Sequence, residues 1–242
     1  MKHSIKEHLT IIPTTSDLIV MVDSTFGLHL PDRLQFEIER LWVQEQQKDP
    51  DLYNGKYLCA IKYDSNIIYG HFVEYKHYLG NILSAEFRKS LDLTFVYIFG
   101  ITHYQKNILI GKRSKHVSHY PGHYDLAPSG GINSNYIFES VIDYRHQLLD
   151  ELEDETSLTQ EQVVDFRPLL LCHNKKDGML GICVEIHLNN EAVHHLAETS
   201  VEYDEFHWVS EANVKSFVSG VGPWTPQSKD LLEIPDLFGL LE

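Results

Sequence analysis

The sequence predicts an α/β layered fold, and three observations carry that expectation. Runs rich in β-branched and aromatic residues alternate with segments of helical periodicity, and long connections separate the strands. The third is size: 242 residues are enough to bury a sizeable core. Composition agrees, because 43% hydrophobic and 23% charged residues, with 13 Tyr and 11 Phe, describe a globular chain rather than a disordered one.

SDLIVMVD (16–23) reads as a strand. PDRLQFEIERLWVQEQQ, entered at Pro31 and Asp32, reads as a helix with Leu34, Phe36, Ile38, Leu41, Trp42 and Val43 at roughly helical spacing. After the turn-rich DPDLYNG come three β-type runs, KYLCAIKY, NIIYGHFVEY and LTFVYIFGI. Residues 1 to about 90 thus form an α+β unit. No Pro/Gly/Ser linker follows it, because LTFVYIFGI passes through HYQKN into the strand ILIGKR, so the two parts are expected to share an interface. Next come a short β-type segment, a Gly-Gly loop and a helical pattern from about Ile137 to Glu155. Strands are then predicted at DFRPLLLCHN and LGICVEIHL, a polar helix near 190–199, a strand at EFHWVS, and a short apolar helix after Pro226 in SKDLLEIPDLFGLL. No internal repeat is present.

Twenty Lys+Arg against 35 Asp+Glu leave a net charge of −15, which argues against nucleic acid and anionic membrane as partners. An anionic substrate must be met locally, through a metal ion. Cys59, Cys172 and Cys183 lie in apolar runs and read as buried free thiols. With no secretory h-region and no spanning-length apolar run, the expectation is a cytoplasmic protein. The histidines from His116 to His123 fit no metal spacing and are expected to be loop and surface residues.

The chemistry is concentrated in residues 127–158, APSGGINSNYIFESVIDYRHQLLDELEDETSL. Val141, Tyr144, Leu148 and Leu152 recur at offsets of three and four and mark a core face. Glu151, Asp154 and Glu155, at i, i+3 and i+4, are helix-surface neighbours and place three carboxylates within reach of one point. Asp150 and Glu153 add to the repulsion, and each acid at a helix C-terminus opposes the macrodipole by about 0.3–1 kcal/mol. A wet acidic surface tolerates that cost; bound cations offset it, and hard ions such as Mg²⁺ or Mn²⁺ prefer such oxygens. Upstream, Gly130 and Gly131 let backbone approach a metal or phosphate closely.

With these residues in view, the segment resembles the Nudix hydrolase signature: Gly, five residues, Glu, seven residues, then Arg-Glu-apolar-x-Glu-Glu-x-Gly-apolar. DELEDETSL matches its second half, with Glu151 at the first Glu, Leu152 at the apolar position, Asp154 and Glu155 at the Glu-Glu pair and Leu158 at the end. PSGGI resembles the opening, and Glu139 the isolated Glu. ILIGKRSKHVSHYPGHYDLAPSGGI looks like the run preceding many such boxes, and FHWVSEANVKSF like the late strand and helix. The resemblance covers residues 95 to about 235. LYNGKYL and YKHYL extend it to the UDP-glucose- and UDP-galactose-cleaving members. The spacings are longer than the pattern by two and three residues, Asp150 stands where the family has Arg, and Ser157 where it has Gly; Arg145 is a candidate substitute.

The resemblance implies a Nudix-type α/β/α sandwich over 93–242, with an N-terminal α+β extension over 1–92 packed on it. It implies a divalent-metal-dependent hydrolase of nucleoside diphosphate-linked compounds, foremost UDP-sugars. A weakened or silent nucleotide- or protein-binding module and an ADP-ribose pyrophosphatase are the alternatives. Mg²⁺, with Mn²⁺ possible, is the implied cofactor, held by Glu151, Asp154, Glu155 and the Gly131 carbonyl, with Glu151 or Glu155 as catalytic base. Lys112, Arg113 and Tyr120 are the substrate-binding candidates, and a homodimer is possible. Trp208 is expected in the core, and Glu205 is a further candidate carboxylate.

Overall fold

The computed structural model describes residues 3–6, 8–117, 119–234 and 237. Two short antiparallel strands, β1 (His3–Lys6) and β2 (Leu9–Pro13), precede β3 (Ile19–Val22). Helix α1 (Asp32–Lys48) buries only Leu34, Ile38 and Trp42, an i, i+4, i+8 stripe, while Phe36 and Val43 face outward. β4 (Lys56–Tyr63) and β5 (Ile67–Glu74) form a hairpin. Two helices that the β-rich reading missed follow, α2 (Tyr75–Leu83) and α3 (Ala85–Leu91). Ser84 separates them and caps α3 by accepting from Phe87 N at 3.3 Å.

β6 (Phe95–Tyr104) and β7 (Asn107–Arg113) lead to the short strands β8 (Tyr124–Leu126) and β9 (Ser129–Gly131). The helical pattern expected from Ile137 needs correction, because β10 (Ile137–Phe138) and β11 (Val141–Ile142) make a hairpin there. Its turn holds Glu139 and Ser140 at φ 47° and 73°, outside helical space. Helix α4 (Tyr144–Thr156) starts where Asp143 accepts from His146 N at 3.0 Å. β12 (Val163–Asn174) and β13 (Met179–Leu188) match their runs. The polar helix expected near 190–199 is only one 3₁₀ turn at Ala192–His194. β14 (Tyr203–Ser210), α5 (Val214–Gly220) and α6 (Pro226–Leu232) complete the chain; the predicted continuation of the last helix falls largely outside the described residues.

The sheet runs β1-β2-β12-β13-β6-β4-β5-β3-β11-β10, with β14-β7-β8 and β9 attached to β6 as branches. One edge of β6 pairs in parallel with β13 along its whole length. The other is shared: Phe95 faces Cys59 of β4, Tyr97 to Phe99 face β9, and His103 and Tyr104 face β7. The two-glycine strand is therefore inlaid between the N-terminal strands and the β7 branch.

Alternation along β6 feeds two cores. Val96 and Ile98 pack with Tyr144, Leu148 and Leu152 of α4, whereas Phe99 and Ile101 pack with Val214 and Val218 of α5 and Leu231 and Leu232 of α6. The result is a mixed α/β fold with helices on both faces of a large sheet. The three cysteines are free and buried. Trp208 packs half-buried against the α4-side core. No helix among the described residues is long and apolar enough to cross a membrane.

Candidate active site

The site is built around β9. Gly130 lies opposite Ile98 and Gly131 opposite Tyr97 in the ladder with β6. From the N-terminal side, Leu58 N donates to Ile132 O at 3.0 Å, fastening β4 to the segment that leaves the glycines. A Cβ on Gly130 would collide with the Glu151 carboxylate, and one on Gly131 with the Tyr57 ring. Both glycines are required by close approach, each to a different neighbour.

Helix α4 delivers the acids unequally. Leu148, Leu152 and Glu155 share the inward stripe, so Glu155 is only 3% exposed. Its Oε2 accepts from Ser129 N at 3.1 Å, while its Oε1 is buried without a hydrogen-bond partner. Glu151 is half-buried one turn earlier, and Asp154 is exposed. Burial pushes the Glu151 carboxyl up to about 7, and Glu202, Asp154 and Asp150 push the same way. Glu155 is raised well above the carboxylate range, first by burial and then by Glu202 and Glu151. Carboxyls are thus gathered where their charged forms are disfavoured.

Gln147, fully buried and four residues before Glu151, holds the acids and the loop together. Its Nε2 donates to Gly131 O at 2.8 Å and to Glu151 Oε1 at 3.4 Å, and its Oε1 accepts from Asn133 N at 3.3 Å. A neutral amide thus ties Glu151 to the glycine strand. Asp150, at the position where the resembled signature has Arg, accepts from Tyr136 OH at 2.7 Å. Arg145 turns away, donating to Ser16 O at 2.6 Å. Ser157, in the place of the late Gly, sits at φ 64° as the C-cap of α4, a left-handed position that Gly occupies without strain.

Arg113, at the end of β7, points toward the acids and is largely buried. It lies 3.6 Å from Asp125 Oδ2 and 3.5 Å from Glu202 Oε2. Burial opposes its charge, but Tyr203, Asp125, Glu202 and Glu155 together raise its pKa. Asp125 accepts from Thr225 Oγ1 at 2.7 Å and Ser228 Oγ at 2.5 Å; burial still leaves its carboxyl raised. Lys112, on the opposite side of the strand, pairs with Glu205 at 2.6 Å, which places both outside this cluster. Glu139 is exposed at the β10–β11 turn.

A cavity of about 590 Å³ lies on the other side of the glycine strand from Glu151 and Glu155, neither of which lines it. Arg113, Asp125, Ser129, Gly130, Gly131, Glu202, Thr225, Gln227 and Ser228 line one part of it. Tyr57, Tyr75 and Tyr78, together with Phe95, His119 and Tyr120, line the rest. His116 also borders it, so two of the histidines expected on the surface face the cavity. Glu202 is not among the residues that the sequence singles out, whereas Glu205, three residues later, is a minor candidate there. Period-two alternation across β7 and β14 was the usable signal, because Lys112 and Arg113 must face opposite ways.

Among the described residues no group of three or more His, Cys, Asp or Glu side chains is arranged to hold a metal ion as it stands. The donor chemistry nonetheless suits a hard divalent cation: two carboxylates with raised pKa values, an unpartnered buried Glu155 oxygen, and a carbonyl at Gly131 with a free lone pair beside its Gln147 bond.

No family model matches the chain, and no curated protein matches it. Solved structures do. A Deinococcus radiodurans protein is similar at TM-score 0.46 and 12% identity, over 58% of this chain and 82% of that one. A MutT protein from Methanosarcina mazei gives TM-score 0.39 and 17% identity, over 57% and 89%. The NUDIX domain of Shewanella oneidensis NrtR, solved with ADP ribose, gives TM-score 0.37 and 15% identity, over 58% and 84%. These are distant likenesses.

Proposed function

We propose that the chain is a divalent-metal-dependent hydrolase of nucleoside diphosphate-linked compounds, with UDP-sugars as its foremost substrates. One observation carries this reading: half-buried Glu151 and buried Glu155 lie one turn apart against a two-glycine strand, with Glu155 Oε1 unpartnered, and that strand and Arg113 line a cavity. Charges held in that way fit a cation and, with it, an anionic ligand. A divalent ion there supplies neutralisation of the diphosphate and a bound water of lowered pKa.

The chain's own groups complete the chemistry. Glu151 and Glu155, with the Gly131 carbonyl, are the ligands, and Asp154 at the exposed rim is the outer acid. Arg113 can engage phosphate oxygens through its fork of N–H donors while Asp125 and Glu202 fix its plane. Either Glu151 or Glu155 accepts the proton of the attacking water; the new P–O bond forms as the bridging P–O bond breaks, leaving two phosphomonoesters. What supports UDP-sugars is where the two N-terminal segments lie: LYNGKYL supplies Tyr57 and YKHYL supplies Tyr75 and Tyr78 to the cavity wall.

The test is turnover of UDP-glucose, UDP-galactose, ADP-ribose, NADH and nucleoside triphosphates with Mg²⁺ or Mn²⁺. Glu151→Gln should lower any activity by at least 100-fold at unchanged fold, in line with loss of a general base. Absence of metal-dependent turnover on every compound, in folded wild-type protein, refutes the hydrolase. Ligand-induced thermal stabilisation without turnover would instead support the second reading, a silent binding module. Asp150, held by Tyr136 where the family's Arg would sit, favours that reading.

A further inference from the structure

The cavity has two chemically different ends, and they come from different parts of the chain. Tyr57, Tyr75 and Tyr78 belong to β4 and α2, before residue 92. Tyr57 and Tyr78 stack nearly parallel, at 10° and 5.6 Å between centroids, and Tyr75 lies 5.2 Å from Tyr57 and 5.6 Å from Tyr78. Tyr75 OH is fixed by His119 Nε2 at 2.7 Å, so its ring is held in orientation. Leu52, Phe95 and Met179 make the rest of this end apolar. The opposite end carries Asp125, Thr225, Gln227 and Ser228, whose side chains are hydroxyls, an amide and a carboxylate.

We infer that the tyrosine wall is the subsite for the flat ring of a nucleobase, so that the first 92 residues read the base of the substrate. The inference rests on the proposed hydrolase reading for the ligand's diphosphate and deepens it by orienting the ligand. A wall of rings has few hydrogen-bonding atoms and suits a π-face, which every base has; a hexose edged with hydroxyls would leave its polar groups unpaired there. At the other end the Gln227 amide has donor and acceptor atoms for such hydroxyls, beside Asp125, Thr225 and Ser228, which are hydrogen-bonded to one another. A diphosphate between the two ends lies at Gly130, Gly131 and Arg113. The base then meets the N-terminal tyrosines, and the second moiety meets the loop leading into α6.

The test is calorimetric binding of uridine 5′-monophosphate, adenosine 5′-monophosphate and ribose 5-phosphate to the full chain in EDTA, without metal or turnover. The nucleotides should bind at least 10-fold more tightly than ribose 5-phosphate, the contribution expected of base stacking. Tyr75→Leu should remove most of that advantage, Tyr75→Phe should keep it, and none of the variants should change ribose 5-phosphate affinity more than 2-fold. Tyr120→Asn is a second probe of the same end: Tyr120 is 39% exposed with φ 50°, a conformation Asn accepts, so the variant keeps the fold. It should lower nucleotide affinity without touching ribose 5-phosphate. Equal affinity for nucleotides and ribose 5-phosphate, or equal loss of both in the variants, overturns the base subsite. No nucleotide binding alongside metal-dependent turnover of another diphosphate would also overturn it while leaving the hydrolase standing.

Discussion

The acid pair ties stability to pH in a direction opposite to that of a salt-bridged carboxylate. Unfolded, Glu151 titrates near 4.5; in the fold burial raises it to about 7. Below pH 4.5 both states are protonated and the shift contributes nothing. Between 4.5 and 7 the unfolded chain releases a proton that the folded chain keeps, so stability falls as pH rises. Above 7 the full penalty is present, about 3 kcal/mol at 1.36 kcal/mol per unit, and Glu155 is shifted in the same direction. For a chain of this size, that is a fall of roughly 6–12 °C in melting temperature. The assay is thermal unfolding in EDTA from pH 5 to 8, comparing wild type with Glu151→Gln. The variant should gain on the wild type progressively across that range and be the more stable protein at pH 8. Mg²⁺ or Mn²⁺ should stabilise the wild type strongly at pH 8 and little at pH 5, where protons compete, and should barely affect the variant. A wild type and variant whose difference stays constant from pH 5 to 8 would refute the reasoning.

Two further outcomes follow from the ends of α4. Ser157→Gly should raise stability by about 1 kcal/mol, since a left-handed non-Gly residue carries that order of strain; a melting temperature 2–4 °C higher would show it. Gln147→Leu should cost about 1–3 kcal/mol, because Gly131 O, Asn133 N and Glu151 each lose a partner. It should also lower kcat more than it raises KM, with Gln147→Glu failing to restore it.

Strands β4, β6, β7, β12 and β13 were legible because each is rich in branched, aromatic and other apolar residues and has a core on at least one face. Errors arose where local pattern and backbone conformation diverge. Val141 falls at helical offset from Tyr144, yet Glu139 and Ser140 take positive φ without a glycine to mark the turn. The acidic segment after Asn189 closes after one turn, with Asn189 accepting from Glu191 N at 2.9 Å. In α2 the aromatic content of YKHYL hid the helix. At the site, the sequence named Glu151, Glu155, the Gly-Gly loop, Arg113 and Tyr120 as candidates; the fold puts the glycines, Arg113 and Tyr120 on one cavity, and Glu151 and Glu155 behind its glycine strand, against Gly130 and Ser129. It could not show that Asp154 stays at the surface, because helical adjacency fixes neighbours but not which of them faces the core. Gln147 was invisible for a related reason: its role depends on α4 meeting β9, a contact that no spacing rule encodes, whereas Glu202 was reachable only through the alternation of β7 and β14.

Those same contacts explain why the N-terminal residues cannot be an incidental appendage. Leu58 N bonds the chain just beyond the glycines, and the Tyr57 ring occupies the space that any side chain at Gly131 would need. The Tyr57 hydroxyl is pushed up to about 12, first by burial and then by the charges of Glu151 and Glu202. A change in β4 therefore reaches the carboxylates through two residues, without crossing a flexible linker. Packing of this kind holds Gly130 against Glu151 with neutral groups, so the charged forms of Glu151 and Glu155 stay costly in the absence of a neighbouring cation.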